Sequence, residues 1–549
     1  MSASHKKQLR KEQNAAQMTE KQQNEQAEAK KLRLYTIAFT TIIIVMVCFA
    51  VFTTVSNSGI IERNTTAVTV GDSKISAVEL NYYYIDSINE YVNQWGDYIS
   101  LSGIDTTAPL NEQIFNEGEG TTWADYFLDY ATESIHSVYS SYNEAVAAGY
   151  TLSEEDAATI DSTIATMELY AVYAYGYSDL DSFLVGMYGH GANEETYRAY
   201  AEVQYIASAY ANDYYESLNY TADEIEAVLA ENPKAYTSYS YNYYYLSATD
   251  FLEGGTTGED GSITYSDEEK DAAVAACKEV VDTLMAQDIS SAVLFDKAVN
   301  NLEINADSET AVTSTAVEGR LYTELSATLQ EWVTDDARQA GDVGCVPYET
   351  ESTDTDGNTV TATSGYYVVL FNGSDDNTYL MNNVRHILVA FEGGTTDDEG
   401  NTVYSDEEKA AALAEAEEIL AQYEAGEQTE EAFTALALEN SDDVDSNGNV
   451  NNEGLYENII PSSSYVENFL NWSIDDARTP GETGIVETEY GYHVMYFVGD
   501  SELSYRDYLI TSALRNEDMT AWQEALIEAS SMNVKNTGKV AMDLTLSSN

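Results

Sequence analysis

Two stretches of this chain repeat one another about 139 residues apart, and each belongs to a segment long enough to be a domain. The first begins at Glu253 and the second at Glu392, and they read EGGTTGEDGSITYSDEEKDAA and EGGTTDDEGNTVYSDEEKAAA. The likeness returns where LQEWVTDDARQAGDVGCV ends at Val346 and FLNWSIDDARTPGETGIV ends at Val486. It closes with SGYYVVLF in the first copy and YGYHVMYF in the second. Solenoid repeats have periods of ~20–50 residues, so this spacing indicates a duplicated domain.

Each copy has the pattern of a compact α+β domain. A short strand and an acidic glycine-rich loop come first, and Ser266 or Ser405 then starts a helix with the capping-box sequence S-D-E-E. Further helices and two strands follow, and this succession is typical of a mixed α+β fold. The final hairpin is 14 residues longer in the first copy, around Asp356. We therefore predict two tandem α+β domains, over residues 236–373 and 380–500.

Residues 56–235, which precede the first copy, are mostly helical by pattern. Val68 and Val70 alternate with polar residues in one short opening strand. Ser76 then caps a helix with apolar residues at helical spacing, and a later helix begins with a capping box at Thr221. We predict an all-helical lobe.

The segment after the second copy, residues 501–549, has helical spacing again. The apolar residues of its helical stretch need a partner to cover them. We predict that this helix returns to the helical lobe and that the polar tail beyond it is loose.

Residues 34–55 are uncharged and predominantly apolar. As a helix they are long enough to span the ~30 Å core of a bilayer. The preceding residues 1–33 form a basic tail with eight Lys/Arg, whereas the next basic residue after the apolar stretch is Arg63, and this asymmetry puts the N-terminus in the cytoplasm. A cleaved signal peptide is the alternative, but the leader is long and lacks a convincing small-residue cleavage site. We predict a retained single-pass anchor in the cell membrane and an extracellular bulk of the chain, as in Gram-positive bacteria.

The chain beyond residue 55 is strongly acidic. Sixteen Lys/Arg face 91 Asp/Glu there, and the whole chain has a formal net charge of −71. This charge disfavours nucleic acid and anionic lipid surfaces, and it would attract cationic segments of unfolded chains. Cys277 and Cys345 lie in this part, where one disulfide is possible, and two buried free thiols are the equal alternative.

The second copy resembles the parvulins, which are small peptidyl-prolyl cis/trans isomerase domains. The family pattern has a His-Ile-Leu strand, a Phe-x-x-Leu-Ala helix, a Ser-x-Asp loop, a Gly-Leu element, a buried Phe, a threonine and a Gly-x-His strand. Here these elements are His386, Phe433 to Ala437, Ser441 to Asp443, Gly454 and Leu455, Phe469, Thr488, and Gly491 to His493. The family's Gly-Gly-Asp-Leu-Gly is replaced by the sequence from Asn452 to Tyr456, and Tyr465 replaces the usual Met.

The resemblance implies the residues of an active site. The implied catalytic residues are His386, Asp443, Thr488 and His493, and the implied proline pocket consists of Leu455, Tyr465 and Phe469. Rotation about an X-Pro bond is slow because of amide resonance, so a site need only favour the twisted imide over both planar forms. We predict no cofactor and no metal, and we expect the polar residues to shape the site rather than to transfer a proton.

The first copy lacks the residues that carry this chemistry. Its last strand reads Gly-Tyr-Tyr, ending at Tyr367, and its opening strand from Tyr243 to Ser247 has no histidine. Asn305 and Leu329 stand near the places of the catalytic Asp and the buried Phe. We predict a degenerate copy that keeps the fold and has lost the activity, with an aromatic groove left to bind chain segments.

The wider layout is similar to the PrsA-type foldases and the SurA-type chaperones, in which a helical lobe, completed by a C-terminal helix, holds a parvulin domain. The resemblance implies an all-helical SurA-like chaperone lobe and two parvulin-like domains of the FKBP-like superfold. We predict a membrane-anchored extracellular foldase whose partners are unfolded or partly folded secreted polypeptides with X-Pro segments. A homodimer stays open.

Two other interpretations stay open. The spacing from Asp443 to Gly448 resembles an EF-hand calcium loop, but its twelfth position is Gly454 instead of a bidentate Glu, which favours a solvated acidic turn. The altered glycine loop and Tyr465 favour a non-catalytic holdase or surface-binding protein that uses both folds as interaction modules.

Overall fold

The computed structural model describes residues 2–11, 31, 38–48, 58–116, 118–257, 262–353, 359–397, 400–445, 448–538, 540, 542 and 544–546. Of the predicted membrane span, residues 38–48 are helical, and residues 34–37 and 49–55 lie outside the described residues. Within these ranges no helix combines the length and the apolar character that crossing a membrane requires. The chain divides into two compact units, Met1–Leu218 with Asn516–Asn549, and Asn219–Arg515.

The first unit is built mainly from helices. The helices between residues 58 and 218 are α1 (Ile60–Asn64), α2 (Ala77–Trp95), α3 (Trp123–Ala147), α4 (Glu154–Tyr173), α5 (Leu180–Tyr188) and α6 (Glu194–Ser217). Two antiparallel strand pairs accompany them, β1 (Thr66–Val70) with β2 (Ser73–Ser76), and β3 (Ile114–Asn116) with β4 (Thr121–Thr122). The predicted cap of α2 is confirmed, because the Ser76 side chain accepts a hydrogen bond from the Glu79 backbone N–H.

The core of this unit lies between β1 and the helices α2 and α3. Val68 and Val70 pack with Tyr84, Phe127 and Ile135 in one buried cluster. Burial of each large apolar side chain stabilises the folded unit by about 1.5–3 kcal/mol relative to leaving that side chain exposed.

The second unit begins with α7 (Ala222–Glu231), whose predicted capping box at Thr221 is confirmed. This helix was assigned to the helical lobe by its sequence pattern, whereas the structure places it with the two copies. Helices α8 (Asp267–Met285), α9 (Ala292–Asn300) and α10 (Ala327–Val333) belong to the first copy. The strands of the first copy are β5 (Ser238–Ser247), β6 (Thr256–Thr257), β7 (Ile263–Thr264), β8 (Thr315–Leu321), β9 (Val343–Thr353) and β10 (Thr359–Asp375).

The second copy has the matching elements in the same order. Its strands are β11 (Leu380–Ala390), β12 (Thr395–Thr396), β13 (Thr402–Val403), β14 (Leu455–Ile459), β15 (Thr483–Glu487) and β16 (Gly491–Ser504). Its helices are α11 (Asp406–Ala425), α12 (Glu430–Asn440) and α13 (Glu467–Ser473). The capping boxes predicted at Ser266 and Ser405 are both formed.

The two four-stranded sheets share one topology. Their strand orders are β8-β5-β10-β9 and β14-β11-β16-β15, so the sequence repeat is also a repeat of strand order. The longer hairpin of the first copy is confirmed, since β9 has 11 residues and β15 has five. Residues 354–358, at its tip, lie outside the described residues.

Alternation along the strands decides which side chains reach each face of the second sheet. Ile387 and Val494 face α11 and α12, and they pack there with Phe433. Val384 and Met495 face α13 and pack with its side chains. Because successive strand residues point to opposite faces, His386 and His493 lie on the α13 face.

The last elements are α14 (Tyr505–Ala529) and β17 (Met532–Val534). Strand β17 pairs with β1, so the first unit contains a three-stranded antiparallel sheet and is not all-helical. The prediction of a loose tail was also wrong for its described residues, because the Leu110 N–H donates to the Leu544 carbonyl at 2.9 Å. The alternation of Val68 and Val70 with polar residues predicted β1 correctly. Its partner strand was not predicted, because it lies more than 460 residues away in sequence and is three residues long.

A short junction joins the two copies. Asn377 is fully buried, and its side chain accepts from Ser238 Oγ (2.9 Å) and donates to the Tyr236 carbonyl (2.8 Å). Its own carbonyl accepts from the Arg506 N–H at 2.8 Å, which ties the start of α14 to the same point. The cysteine alternative is settled as two free thiols, with Cys277 buried and Cys345 half-buried.

Candidate active site

A cavity of about 340 Å³ opens on the face of the second sheet that α13 covers. Four aromatic side chains, two histidines and one carboxylate dominate its walls. The described residues that line it are His386, Leu388, Asp443, Tyr456, Ser464, Tyr465, Val466, Phe469, Tyr490 and His493.

The floor of the cavity is a pair of histidines on adjacent strands. His493 on β16 pairs in register with Leu388 on β11, two residues beyond His386, so the two imidazoles are diagonal neighbours on one face. Their Nδ1 atoms are 2.9 Å apart, and the rings stack with centroids 5.0 Å apart. Both side chains are buried, with 3% and 6% of each residue exposed.

The loop after α12 holds Asp443 beside this pair by completing the edge of β11. Ser441 Oγ accepts from the Leu388 N–H at 3.1 Å, and Asp442 Oδ2 accepts from the Ala390 N–H at 2.9 Å. The Asp442 N–H donates to the Leu388 carbonyl at 2.9 Å. The Ser-Asp-Asp sequence therefore supplies the strand's missing hydrogen-bond partners and fixes the third residue, Asp443, at the cavity.

The Asp443 carboxylate accepts three side-chain hydrogen bonds. The donors are His386 Nε2 (3.0 Å), Tyr456 Oη (2.7 Å) and Asn451 Nδ2 (2.6 Å). These bonds, led by the one from His386, hold the pKa of Asp443 well below its usual range even though burial opposes them. The carboxylate is therefore ionised at neutral pH, and neither of its oxygens is bare. The interpretation of this segment as a solvated acidic turn was wrong for Asp443, because its side chain is only 19% exposed.

Thr488 extends the network on the far side of His493. Its Oγ1 lies 2.9 Å from His493 Nε2, and it accepts from the Tyr490 N–H at 3.2 Å. Burial lowers the pKa of His493 to about 3, so this imidazole is neutral near pH 7. The hydrogen bonds of the network can then all run in one direction. The Thr488 hydroxyl donates to His493, His493 donates to His386, and His386 donates to Asp443.

Aromatic rings form the wall above this network. Phe469 is buried and meets both imidazoles edge-on, with centroids 5.3 Å and 5.4 Å away. Tyr465 is 38% exposed at the mouth, and its ring lies 5.5 Å from that of Phe469. The wall is thus apolar at its base and amphipathic at its opening.

Of the seven residues that the sequence assigned to the site, five line the cavity and Thr488 is hydrogen-bonded to one of them, His493. Leu455 is the exception, because it does not line the cavity, whereas its neighbour Tyr456 does. Alternation along β14 explains the difference, since Leu455 pairs with Arg385 and Tyr456 pairs with Val384, which is on the α13 face. Sequence reasoning missed Tyr456 and Asn451, which bond to Asp443, and four further residues of the lining, Leu388, Ser464, Val466 and Tyr490. Strand alternation could have identified Tyr456.

The altered glycine loop makes a tight turn. Gly454 has φ +78°, and a Cβ there would lie 2.5 Å from the His386 carbonyl oxygen, so only glycine fits against β11. Asn452 (φ 41°) and Glu453 (φ 52°) are also left-handed, where the resembling family has two glycines. Two residues with side chains therefore adopt left-handed backbone in this loop, and the backbone is strained at Glu453.

The same register in the first copy replaces the polar network with tyrosines. Tyr367 pairs with Tyr245 as His493 pairs with Leu388, which puts Tyr243 in the place of His386. Tyr348 stands in the place of Thr488. The rings of Tyr243 and Tyr367 lie 5.6 Å apart, and those of Tyr348 and Tyr367 lie 6.0 Å apart. The first copy therefore has aromatic contacts where the second has hydrogen bonds.

Comparison with protein families identifies the second copy. Residues 386–499 match the model of the PPIC-type PPIase (rotamase) domain. The predicted parvulin-type peptidyl-prolyl isomerase domain is confirmed for these residues. No curated protein matches the chain.

Solved structures similar to the chain include three PrsA proteins. The peptidylprolyl isomerase PrsA of Bacillus anthracis is 19% identical, with 28% of this chain and 59% of that one covered and a TM-score of 0.15. PrsA of Bacillus cereus is 21% identical, with 28% and 49% covered and a TM-score of 0.16. PrsA of Bacillus subtilis is 12% identical, with 76% and 91% covered and a TM-score of 0.24. All three TM-scores lie below 0.5, and the chain spans less than two thirds of the length of the first two PrsA structures.

Proposed function

We propose that the cavity of the second copy catalyses cis/trans isomerisation of X-Pro bonds in polypeptides. The barrier to this rotation is amide resonance, of order 20 kcal/mol. A catalyst needs no nucleophile, since binding the twisted imide more tightly than either planar form lowers the barrier. The observation that carries the proposal is an apolar pocket beside a buried, fully hydrogen-bonded polar floor, within a PPIC-type domain.

Each wall has a role in this proposal. The proline ring packs against Phe469 and Tyr465, and the twisted imide lies over His386, with the Asp443 carboxylate beside it. The Asp443 charge is fixed in place by its three donors before substrate arrives, and preorganised charge of this kind is effective because it does not have to reorient during the reaction. His493 and Thr488 act as positioning residues that orient His386.

The first copy is proposed to be a degenerate parvulin domain. Its sheet has the same strand order, but tyrosines occupy the places of both histidines and of the threonine. Leu329, in the place of Phe469, is buried in an apolar cluster. With no carboxylate–imidazole network to orient, this copy binds chain segments without accelerating rotation.

The protein as a whole is proposed to be a membrane-anchored extracellular foldase for secreted polypeptides. The apolar residues 34–55 after a basic tail support the anchor. Exposed apolar side chains on α4 support chain binding by the first unit, since Leu169, Tyr170 and Tyr173 are 59%, 57% and 83% exposed. Contiguous apolar patches that are exposed to solvent often mark sites of interaction with other proteins.

The test of the activity is proline isomerisation by the full chain, followed with exchange NMR of an Xaa-Pro peptide so that no coupling protease is needed. We expect acceleration proportional to protein concentration, and we expect Asp443→Ala to lower kcat/KM by about tenfold or more. Asp476→Asn, at an exposed acid elsewhere in the same domain, is the matched control.

A non-catalytic holdase is the second candidate. It is favoured by Tyr456, which occupies cavity volume at a place where the resembling family has glycine, and by the full occupancy of the Asp443 oxygens. A holdase would suppress aggregation of an unfolded client equally well with Asp443→Ala and would not accelerate rotation of any peptide.

A further inference from the structure

The cavity of the second copy is negatively charged. Its described lining includes the Asp443 carboxylate and no Lys or Arg. The carboxylate stays ionised because its hydrogen bonds lower its pKa, and burial keeps His493 neutral. A bound peptide therefore meets the fixed negative charge of Asp443 among two imidazoles and aromatic, aliphatic and hydroxyl groups.

Basic residues elsewhere in the domain do not compensate this charge. Residues 380–500 contain three Lys/Arg and 27 Asp/Glu. All three cations are described, and each is ion-paired outside the cavity. The pairs are Arg385 with Glu430 (2.8 Å), Lys409 with Glu487 (2.9 Å), and Arg478 with Asp475 (3.5 Å). Arg478 also stacks on Trp472, with its guanidinium 4.3 Å from the ring centroid.

The rim of the cavity adds to the negative field. Tyr490 lines the cavity and is 58% exposed, and the exposed Glu489 precedes it. A charge at the rim is partly screened by water and salt, whereas the Asp443 charge is only 19% exposed and is screened less. Residues that flank a bound proline lie within this field.

We propose that the second copy selects X-Pro segments that carry Lys or Arg beside the proline, and that it discriminates against Asp, Glu and phosphorylated residues there. This specificity rests on the proposed isomerase function. The cation is attracted to the negative charges of Asp443 and Glu489, and it displaces no Lys or Arg of the domain, since all three of these are paired outside the cavity. An acidic neighbour is repelled and finds no Lys or Arg in the lining to pair with.

The test uses the full chain and a series of peptides of the form Ala-Xaa-Pro-Phe, with Xaa as Lys, Arg, Gln, Leu, Glu and phosphoserine. We expect kcat/KM to be at least about threefold higher for Lys than for Gln, and lower for Glu than for Gln by a similar factor, at low ionic strength. The differences should shrink in ~0.5 M salt, where the Debye length falls to a few ångströms. Equal rates across the series, or a preference for Glu, would overturn the proposal.

Two matched variants locate the effect. Glu489→Lys should reduce the preference for Lys over Gln. Glu417→Lys makes the same charge change on α11, which covers the opposite face of the sheet, and should leave the preference intact. A loss of preference in both variants would show a general effect of net charge and would contradict a local one.

Binding of the same peptides separates this proposal from the isomerase proposal. Affinity is measured by fluorescence anisotropy for the wild-type chain and for Tyr465→Ala, and the difference reports binding in the cavity. If no peptide is turned over, the isomerase proposal fails, and the order of cavity-dependent affinities still decides the charge preference. Tighter cavity binding of the Lys peptide than of the Glu peptide supports it, and equal binding refutes it.

Discussion

At the scale of single residues, the site depends on a chain of four polar side chains that ends in a threonine. Of these four residues only Thr488 does not line the cavity, because His493 lies between it and His386. Its hydroxyl is nevertheless the described partner of His493 Nε2, and the residue is buried.

Thr488→Val is therefore predicted to uncouple the network while keeping the shape of the side chain. It leaves a buried imidazole nitrogen unpaired, which costs about 1–3 kcal/mol of stability. We expect kcat/KM to fall by about tenfold through kcat, because His386 loses its fixed orientation. Thr434→Val removes a helix hydroxyl that bonds only to a backbone carbonyl, and it is the control. A stability loss with unchanged kcat/KM would make Thr488 purely structural.

The residues of the site could be predicted from the sequence only where a family pattern or a period applied. Both histidines, Asp443 and Thr488 stand at pattern positions, and Phe469 lies on a short helix that the pattern includes. Tyr456 was missed because it differs from the family pattern at its position, whereas Leu455 matches the pattern. The pattern does not indicate which face of the strand a differing residue occupies. Physical alternation along β14 decides that face.

At the scale of elements, the turn before β14 combines a required glycine with two strained neighbours. Glu453 is held at φ 52°, and its backbone carbonyl accepts from Arg385 at 3.0 Å, so its side chain is not needed for that contact. Glu453→Gly should stabilise the domain by about 1 kcal/mol, because glycine adopts this conformation without steric cost.

The control for this turn is Glu457→Gly in β14, at an exposed position whose φ is not positive. Glycine should destabilise a strand interior by about 0.5–1 kcal/mol there. Both changes remove one exposed acid, so charge is matched, and chemical denaturation of each variant gives the free energy of unfolding. Destabilisation by both variants would contradict the assignment of strain to Glu453.

The element that closes the first unit is α14 with β17. Trp522 stacks on Tyr214 with ring centroids 4.7 Å apart, and Gln523 donates to the Ser137 carbonyl at 3.0 Å. A chain that ends at Arg515 loses these contacts and the partner strand of β1. We predict a lower melting temperature for the first unit and an unchanged transition for Asn219–Arg515 in calorimetry.

A point variant makes the same prediction without truncation. Trp522→Ala should cost the first unit about 1–3 kcal/mol, because it removes a stacked aromatic pair and the apolar area it buries. Glu524→Ala, at an exposed position of the same helix, should be nearly neutral. Equal melting of the first unit in the wild type, the truncated chain and Trp522→Ala would mean that the unit is closed without this segment.

Elements with strong local signals could be predicted from the sequence. Four capping sequences each begin a helix where expected, because a cap is a local hydrogen bond between a side chain and a nearby N–H. Strand β17 could not be predicted, since three residues carry no period and their pairing with β1 depends on the folded first unit.

At the scale of the whole molecule, the two units are predicted to respond to pH in opposite directions. In the first unit, burial raises the pKa of Glu79 to about 7, beside the Tyr139 hydroxyl, so the folded unit binds more protons than the unfolded chain between pH 4.5 and 7. Its stability therefore rises as the pH falls through this window.

In the second copy the sign is reversed. Burial lowers the pKa of His493 to about 3 from an unfolded value of 6.5, so the unfolded chain binds the extra proton between these values. Stability is then fully present above pH 6.5 and declines as the pH falls, by up to about 1.4 kcal/mol for each pH unit. The lowered pKa of Asp443 acts in the same direction at more acidic pH.

Calorimetry between pH 7.5 and 5.5 checks both signs, with peaks assigned by the chain that ends at Arg515. The transition of the first unit should move up and that of the second copy should move down. Glu79→Gln should flatten the first response, and His493→Gln should flatten the second. Transitions that move together in the wild-type chain would contradict the opposed protonation of the two units.

The duplication itself supplies the most direct test, because the first copy shows which residues the fold keeps without the network. The double variant Phe469→Leu and His493→Tyr gives the second copy the residues that the first copy has at these places. The measurement is kcat/KM for an Xaa-Pro peptide with the folded full chain, before and after this exchange. We predict that the exchange lowers the acceleration by at least about tenfold, with cooperative unfolding retained. Undiminished acceleration by the exchanged chain would contradict the claim that the second copy is the catalyst.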